Sequence, residues 1–132
     1  MGKLRIDVEV IPHNKQRYET CGDWWWEAHM ATRKIRVSML KNVDMEFCVA
    51  IHEMIEQHLC IKRVIRERIV TLFDMRFEEE RAKGLHKPDA EPGDDPNAPY
   101  HKEHVFATNI ERQLASEFGI DWESYERRIA TL

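Results

Sequence analysis

Cysteine is scarce. Cys21, Cys48 and Cys60 make an odd set with no CxxC spacing, which excludes a disulfide framework and reads as reduced core thiols. Long hydrophobic runs are absent too. No stretch approaches the roughly 18 uninterrupted apolar residues of a membrane span, and Met1-Gly2-Lys3-Leu4-Arg5 opens the chain without the apolar core of a targeting peptide. The expectation is a cytoplasmic protein with no membrane partner. No charge of one sign dominates: 24 acidic and 20 basic residues give a formal charge of −4 in short mixed clusters. The chain therefore lacks the basic stripe of a nucleic-acid groove, and no nucleic-acid partner is expected. Internal repeats and low-complexity tracts are missing as well. What is present suffices for a core: 132 residues, 42% of them apolar, with four Trp, five Phe and three Tyr, predict a single domain over residues 1–132.

The hydrophobic pattern predicts an α+β fold, a small antiparallel or mixed N-terminal sheet packed on about four helices. Leu4, Ile6, Val8 and Val10 alternate with Arg5, Asp7 and Glu9, the period of a half-buried strand. After a turn at residues 12–15, residues 17–20 could return antiparallel, with Cys21-Gly22-Asp23 breaking the pairing before Trp24-Trp25-Trp26. Residues 34–39 alternate again. Asn42 or Asp44 can cap a helix over residues 45–60 that is apolar on most of its circumference, which marks it as buried. A bend near residues 60–62 leads to a second helix reaching Ala82, with Val64, Ile65, Ile69, Leu72, Phe73 and Phe77 inward and Gly84 as its stop. Residues 85–99 hold four of the five prolines and form a long polar loop, a kind of segment that in compact domains is usually functional or disordered. Pro99 suits the first position of a helix to Phe118, closed by Gly119, and Asp121 caps a last helix carrying Trp122, Tyr125, Ile129 and Leu132.

One constellation carries chemistry. His52 and Glu56 are four apart on the apolar helix, so they share a face about one turn apart and can converge on one metal ion. Glu53 lies where the HExxH arrangement has its general base, which takes a proton from water polarised by the metal. Here the sequence is His52-Glu53-Met54-Ile55-Glu56, an HExxE in which a carboxylate oxygen stands as second ligand. The third ligand is expected from His104, on the apolar stripe Tyr100, His104, Ala107, Glu111, Leu114, Phe118. His101, nearer the solvated start of that helix, is the alternative. Glu111, a carboxylate on the same stripe, needs a partner, and would accept the second N–H of a ligand histidine or serve as a fourth ligand. A metal-free polar cluster is the competing reading, because polar side chains that interrupt an apolar helix must be satisfied in some way.

Other features point less sharply. His58 falls near the end of its helix, where it offsets the dipole, and His13, His29 and His86 lie in turns without a partner at ligand spacing. Of the three adjacent tryptophans at least one belongs to the core, the others being able to form a partner platform. The acidic run from Asp89 to Asp95 could hold calcium but lacks the spacing of an EF-hand.

The order of elements, a small sheet with a strand at Ile35 to Met39, a helix bearing His52-Glu53-Met54-Ile55-Glu56 and a later helix with His104, resembles a minimal zincin metallopeptidase over roughly residues 30–112. It departs at Glu56, where zincins carry a second histidine. The resemblance implies a zinc-dependent hydrolase acting on a peptide or protein, with His52 and Glu56 as ligands, Glu53 as catalytic base and a peptide-binding edge strand at Ile35 to Met39. The segment from Pro92 to His104, with Asp121-Trp122 and Tyr125 beyond, is also similar to small phage or prophage proteins, which implies an accessory protein in a host cytoplasm. Two histidines and a carboxylate are equally the donor set of non-haem iron sites, so Fe2+ is the alternative to Zn2+.

Overall fold

A computed structural model describes residues 2–27 and 31–132, so His29 lies outside the described residues. The chain is α+β, a three-stranded mixed sheet and four helices: β1 (Arg5–Ile11), β2 (Gly22–Glu27), β3 (Thr32–Ser38), α1 (Val43–Lys62), α2 (Glu67–Ala82), α3 (His101–Glu117) and α4 (Trp122–Ala130). The sheet order is β1-β3-β2, with β1 parallel and β2 antiparallel to β3.

Two strand expectations are corrected by this order. Residues 17–20 pair with no strand; the antiparallel partner is Gly22–Glu27, so Gly22 and Asp23 begin a strand instead of breaking one. Bulky tryptophans suit a pleated, half-buried surface, and their alternation puts Trp24 and Trp26 on the helix side and Trp25 on the other. There Trp25 lies under the guanidinium groups of Arg17 and Arg36 at 4.7 and 4.8 Å. β3 is the middle strand, paired on both sides, and so is not the free edge expected at Ile35 to Met39.

Ile35 and Val37 of β3 are buried against α1, together with Trp24, Cys48, Val49 and Cys60. α1 lies over β3 and β2. Val8 and Val10 of β1 share the core-facing side yet remain 45% exposed, because the helix layer is centred on the other two strands. Asn42 caps α1 by accepting from the Met45 amide at 3.0 Å, and Asp121 does the same for α4 from Ser124.

The break between α1 and α2 falls at residues 63–66, slightly beyond the expected bend, and Val64 closes α1 at φ +57° with its side chain 82% exposed. The buried stripe of α2 is Val70, Asp74 and Phe77, with Phe73 partly buried; Ile69 and Leu72 of α2 and Val64 of the turn before it are exposed, contrary to the apolar pattern. Gly84 and Gly119 hold the left-handed conformations expected of helix stops. Pro99 lies just before α3, with Tyr100 as its N-cap, and Phe118 is partly exposed at the end of the stripe.

Residues 85–99 contain a short 3-10 turn, Pro92–Asp94, packed against α2 and α3. Among the described residues no helix is long and apolar enough to cross a membrane.

Candidate metal centre

α1 and α3 pack side by side, and that contact brings His52, Glu56, His104 and Glu111 together although 59 residues separate His52 from Glu111. His52 Nε2 and His104 Nδ1 lie 3.1 and 3.0 Å from the same oxygen, Oε2 of Glu56. The two imidazole rings meet edge to face at 4.8 Å. His52 Nδ1 donates to Oε1 of Glu111 at 2.7 Å, and Tyr125 of α4 donates to Oε2 of Glu111 at 2.5 Å. Glu111 is the acceptor of both donors, so one proton of His52 belongs on Nδ1, and Nε2 donates its own proton to Glu56 as long as no cation takes that position. Oε1 of Glu56 is held from below the helix by the Trp24 indole at 2.9 Å.

Three potential ligand atoms, one each from His52, Glu56 and His104, lie within 4.8 Å of one another, and all three residues are buried. Metal–ligand bonds of ~2.0–2.1 Å in a tetrahedron place ligand atoms roughly 3.3 Å apart, close to the 3.0 and 3.1 Å found here. The residues therefore fit a small divalent cation. With only protein around them, both histidines are driven to hold protons: burial opposes this, but the carboxylates of Glu111 and Glu56 raise the pKa of His52, and those of Asp94, Glu56 and Glu91 raise that of His104. Glu56 responds in the opposite sense. Burial works against its ionisation, but hydrogen bonds from His104 and His52 hold it well below the usual carboxylate range.

No family model, curated protein or solved structure matches the chain. The site rests on its own chemistry.

Glu53 faces a cavity of about 350 Å³ that it shares with His52, Glu56, His104 and Glu111. Among the described residues no side chain hydrogen-bonds its carboxylate, and burial followed by the charge of Glu56 pushes its pKa well above the ordinary value. Gly22 of β2 lies directly against it: a Cβ there would stand 2.5 Å from Oε1 and 2.7 Å from Cγ of Glu53. His101 is turned away from the cluster, its Nδ1 contacting the Gly93 carbonyl at 2.9 Å.

Several residues of this region escaped the sequence reading. The second nitrogen of His104 faces Asp94 and Glu91, two members of the acidic run in the long loop. On the opposite wall of the cavity, Tyr18 and Tyr100 both donate to the buried carboxylate of Asp74, Tyr18 at 2.8 Å. Desolvation raises Asp74 to about 7 against the two tyrosine hydrogen bonds. Its position on the α2 stripe between Val70 and Phe77 was the available signal, the same one that exposed Glu111. His13, expected to lack partners, meets Ser38 Oγ at 2.8 Å and Glu19 at 2.7 Å, but Ser38 is fully buried, so this set ties the 12–21 segment to β3.

Proposed function

We propose that this protein is a metal-dependent hydrolase of a minimal, zincin-like kind that acts on peptide bonds, with His52, Glu56 and His104 as zinc ligands and Glu53 as general base. The observation that carries the reading is the convergence of His52 Nε2, Glu56 Oε2 and His104 Nδ1 next to a carboxylate, Glu53, that no side chain among the described residues hydrogen-bonds. Zinc, when bound, supplies a Lewis acid for water and for a carbonyl oxygen, and with three protein ligands it keeps a position open to the cavity.

The chain's own groups do the rest. Glu111, braced by Tyr125, holds the ring of His52 in one tautomer and orientation. Trp24 keeps the unused oxygen of Glu56 occupied, leaving the other free to coordinate. Glu53 takes the proton of the attacking water and returns it to the leaving amine. Glu53, whose pKa burial and Glu56 raise, would be ionised for that step by the charge of a cation held on His52, Glu56 and His104. The peptide strand is assigned to the outer edge of β2, since β3 is paired on both sides and Gly22 puts β2 backbone against Glu53.

Glu53→Gln tests the reading. The variant should retain stoichiometric zinc and lose roughly 10²–10⁴-fold in hydrolysis of an unstructured protein or peptide mixture. Undiminished zinc-dependent hydrolysis would remove Glu53 from its role. The same donor set, two histidines and one carboxylate, supports a non-haem Fe2+ centre as the second reading. Metal analysis of anaerobically purified protein separates the two, and only an iron site is redox-active.

A further inference from the structure

His104 has two ring nitrogens, and only Nδ1 belongs to the cluster described above. Its Nε2 is buried, in a side chain 9% exposed, and among the described residues no partner meets it with hydrogen-bond geometry. Two carboxylate oxygens flank it, Asp94 Oδ1 at 3.2 Å and Glu91 Oε2 at 3.4 Å. The contrast with His52 is informative. There the second nitrogen is bonded to Glu111 at 2.7 Å, the length of a charge-assisted hydrogen bond. Around His104 Nε2 the two carboxylate oxygens stand farther off, at 3.2 and 3.4 Å. Glu91, Asp94 and His104 each offer one ligand atom within 4.8 Å of the others.

The loop is shaped to hold this arrangement. The turn at Pro92–Asp94 is closed by the Asp94 amide on the Glu91 carbonyl at 3.1 Å and the Asp95 amide on Pro92 at 3.1 Å. Gly93 lies flat on the imidazole, where a Cβ would overlap the ring, and its carbonyl is tied to His101 at 2.9 Å. The backbone therefore straddles His104, with a carboxylate on each side of the glycine.

We propose that Glu91, Asp94 and His104 Nε2 form a second divalent-metal position on the outer side of the His104 ring. Two carboxylates with one imidazole suit Zn2+ or Mn2+. Their side chains are 52% and 61% exposed for Glu91 and Asp94, so water completes the coordination and the outer position binds more weakly than the buried one. With both positions filled, His104 would release both ring protons to solvent and hold the two ions as an imidazolate. An ion in the outer position clamps the 91–94 turn onto α3 and fixes one wall of the cavity. The outer position needs neither His52 nor Glu56, so it stands or falls separately from the proposed catalytic site.

The test is a zinc titration of metal-free protein against a chromophoric chelator, on wild type, Glu91→Gln/Asp94→Asn and His52→Ala, with circular dichroism confirming the fold of each. The expected result is two equivalents for wild type, one tight equivalent for the double variant, and one weaker equivalent for His52→Ala. A single equivalent in wild type that the double variant keeps at the same affinity overturns the outer position and leaves the inner one standing. One equivalent that the double variant loses and His52→Ala keeps supports the outer position and removes the inner. No zinc in wild type removes both.

Discussion

Glu53 and Gly22 illustrate how single residues set the chemistry. Because a Cβ at position 22 would press on the Glu53 carboxylate, Gly22→Ala should displace the base while leaving the ligands in place. Its expected signature is a fall in kcat with zinc content unchanged, and an unaltered kcat would show that Glu53 has room to adjust. Glu111 acts through His52. Glu111→Gln should weaken zinc binding by roughly 10–100-fold, read by chelator competition, and equal affinity would break that link. Asp74 offers a pH test away from the ligands. Its folded pKa of about 7 lies above the ordinary 3.8, so the folded state binds the extra proton and stability falls as pH rises from about 4 through 7. At 1.36 kcal/mol per pKa unit the fall is at most on the order of 4 kcal/mol. Denaturant unfolding of Asp74→Asn should show that decline flattened, and parallel curves for the two proteins would contradict it. The residues of the buried cluster were legible in the sequence because His52, Glu53 and Glu56 interrupt an apolar helix, and because His104 and Glu111 do the same on α3. Trp24 and Tyr125 were not, and the acidic run holding Glu91 and Asp94 was marked as a possible cation site without its link to His104. Each meets the cluster through tertiary contacts that no local period encodes.

At the scale of elements, end signals proved more informative than faces. Asn42, Gly84, Gly119 and Asp121 each stand at a helix end as their cap chemistry requires. The face of α2 was misread because Val64, Ile69 and Leu72 are apolar but exposed, and periodicity alone cannot tell a core residue from an exposed one. Val64 holds φ +57°, a conformation that costs a β-branched residue roughly 1–2 kcal/mol. Val64→Gly should therefore raise stability by about 1 kcal/mol in urea unfolding, because its side chain is solvent-exposed and contributes little packing. A loss of stability would mean that the turn is not strained. The strands were harder to place. The pattern marked β1 and most of β3, but the tryptophan run of β2 has no polar alternation to identify it as a strand.

For the whole molecule, the decisive feature is the packing of α1 on β2 and β3 and of α3 on α1, which buries two histidines and two glutamates in one cluster. The mixed sheet order was not readable from the chain. Strand pairing is nonlocal, and the same hydrophobic segments suit several orders. Neither was the approach of α3 to α1, on which the third ligand depends. That approach is what lets His104 join His52 and Glu56, and metal content tests most directly the proposal that the three hold an ion between the two helices. Untagged protein purified without added metal, analysed by mass spectrometry beside His52→Ala and His104→Ala, should carry near-stoichiometric zinc or iron at the inner position. Both variants should lose that inner metal while remaining folded. Folded wild-type protein that stays metal-free even after reconstitution with zinc and with iron would contradict the account, leaving the cluster as a network of buried hydrogen bonds.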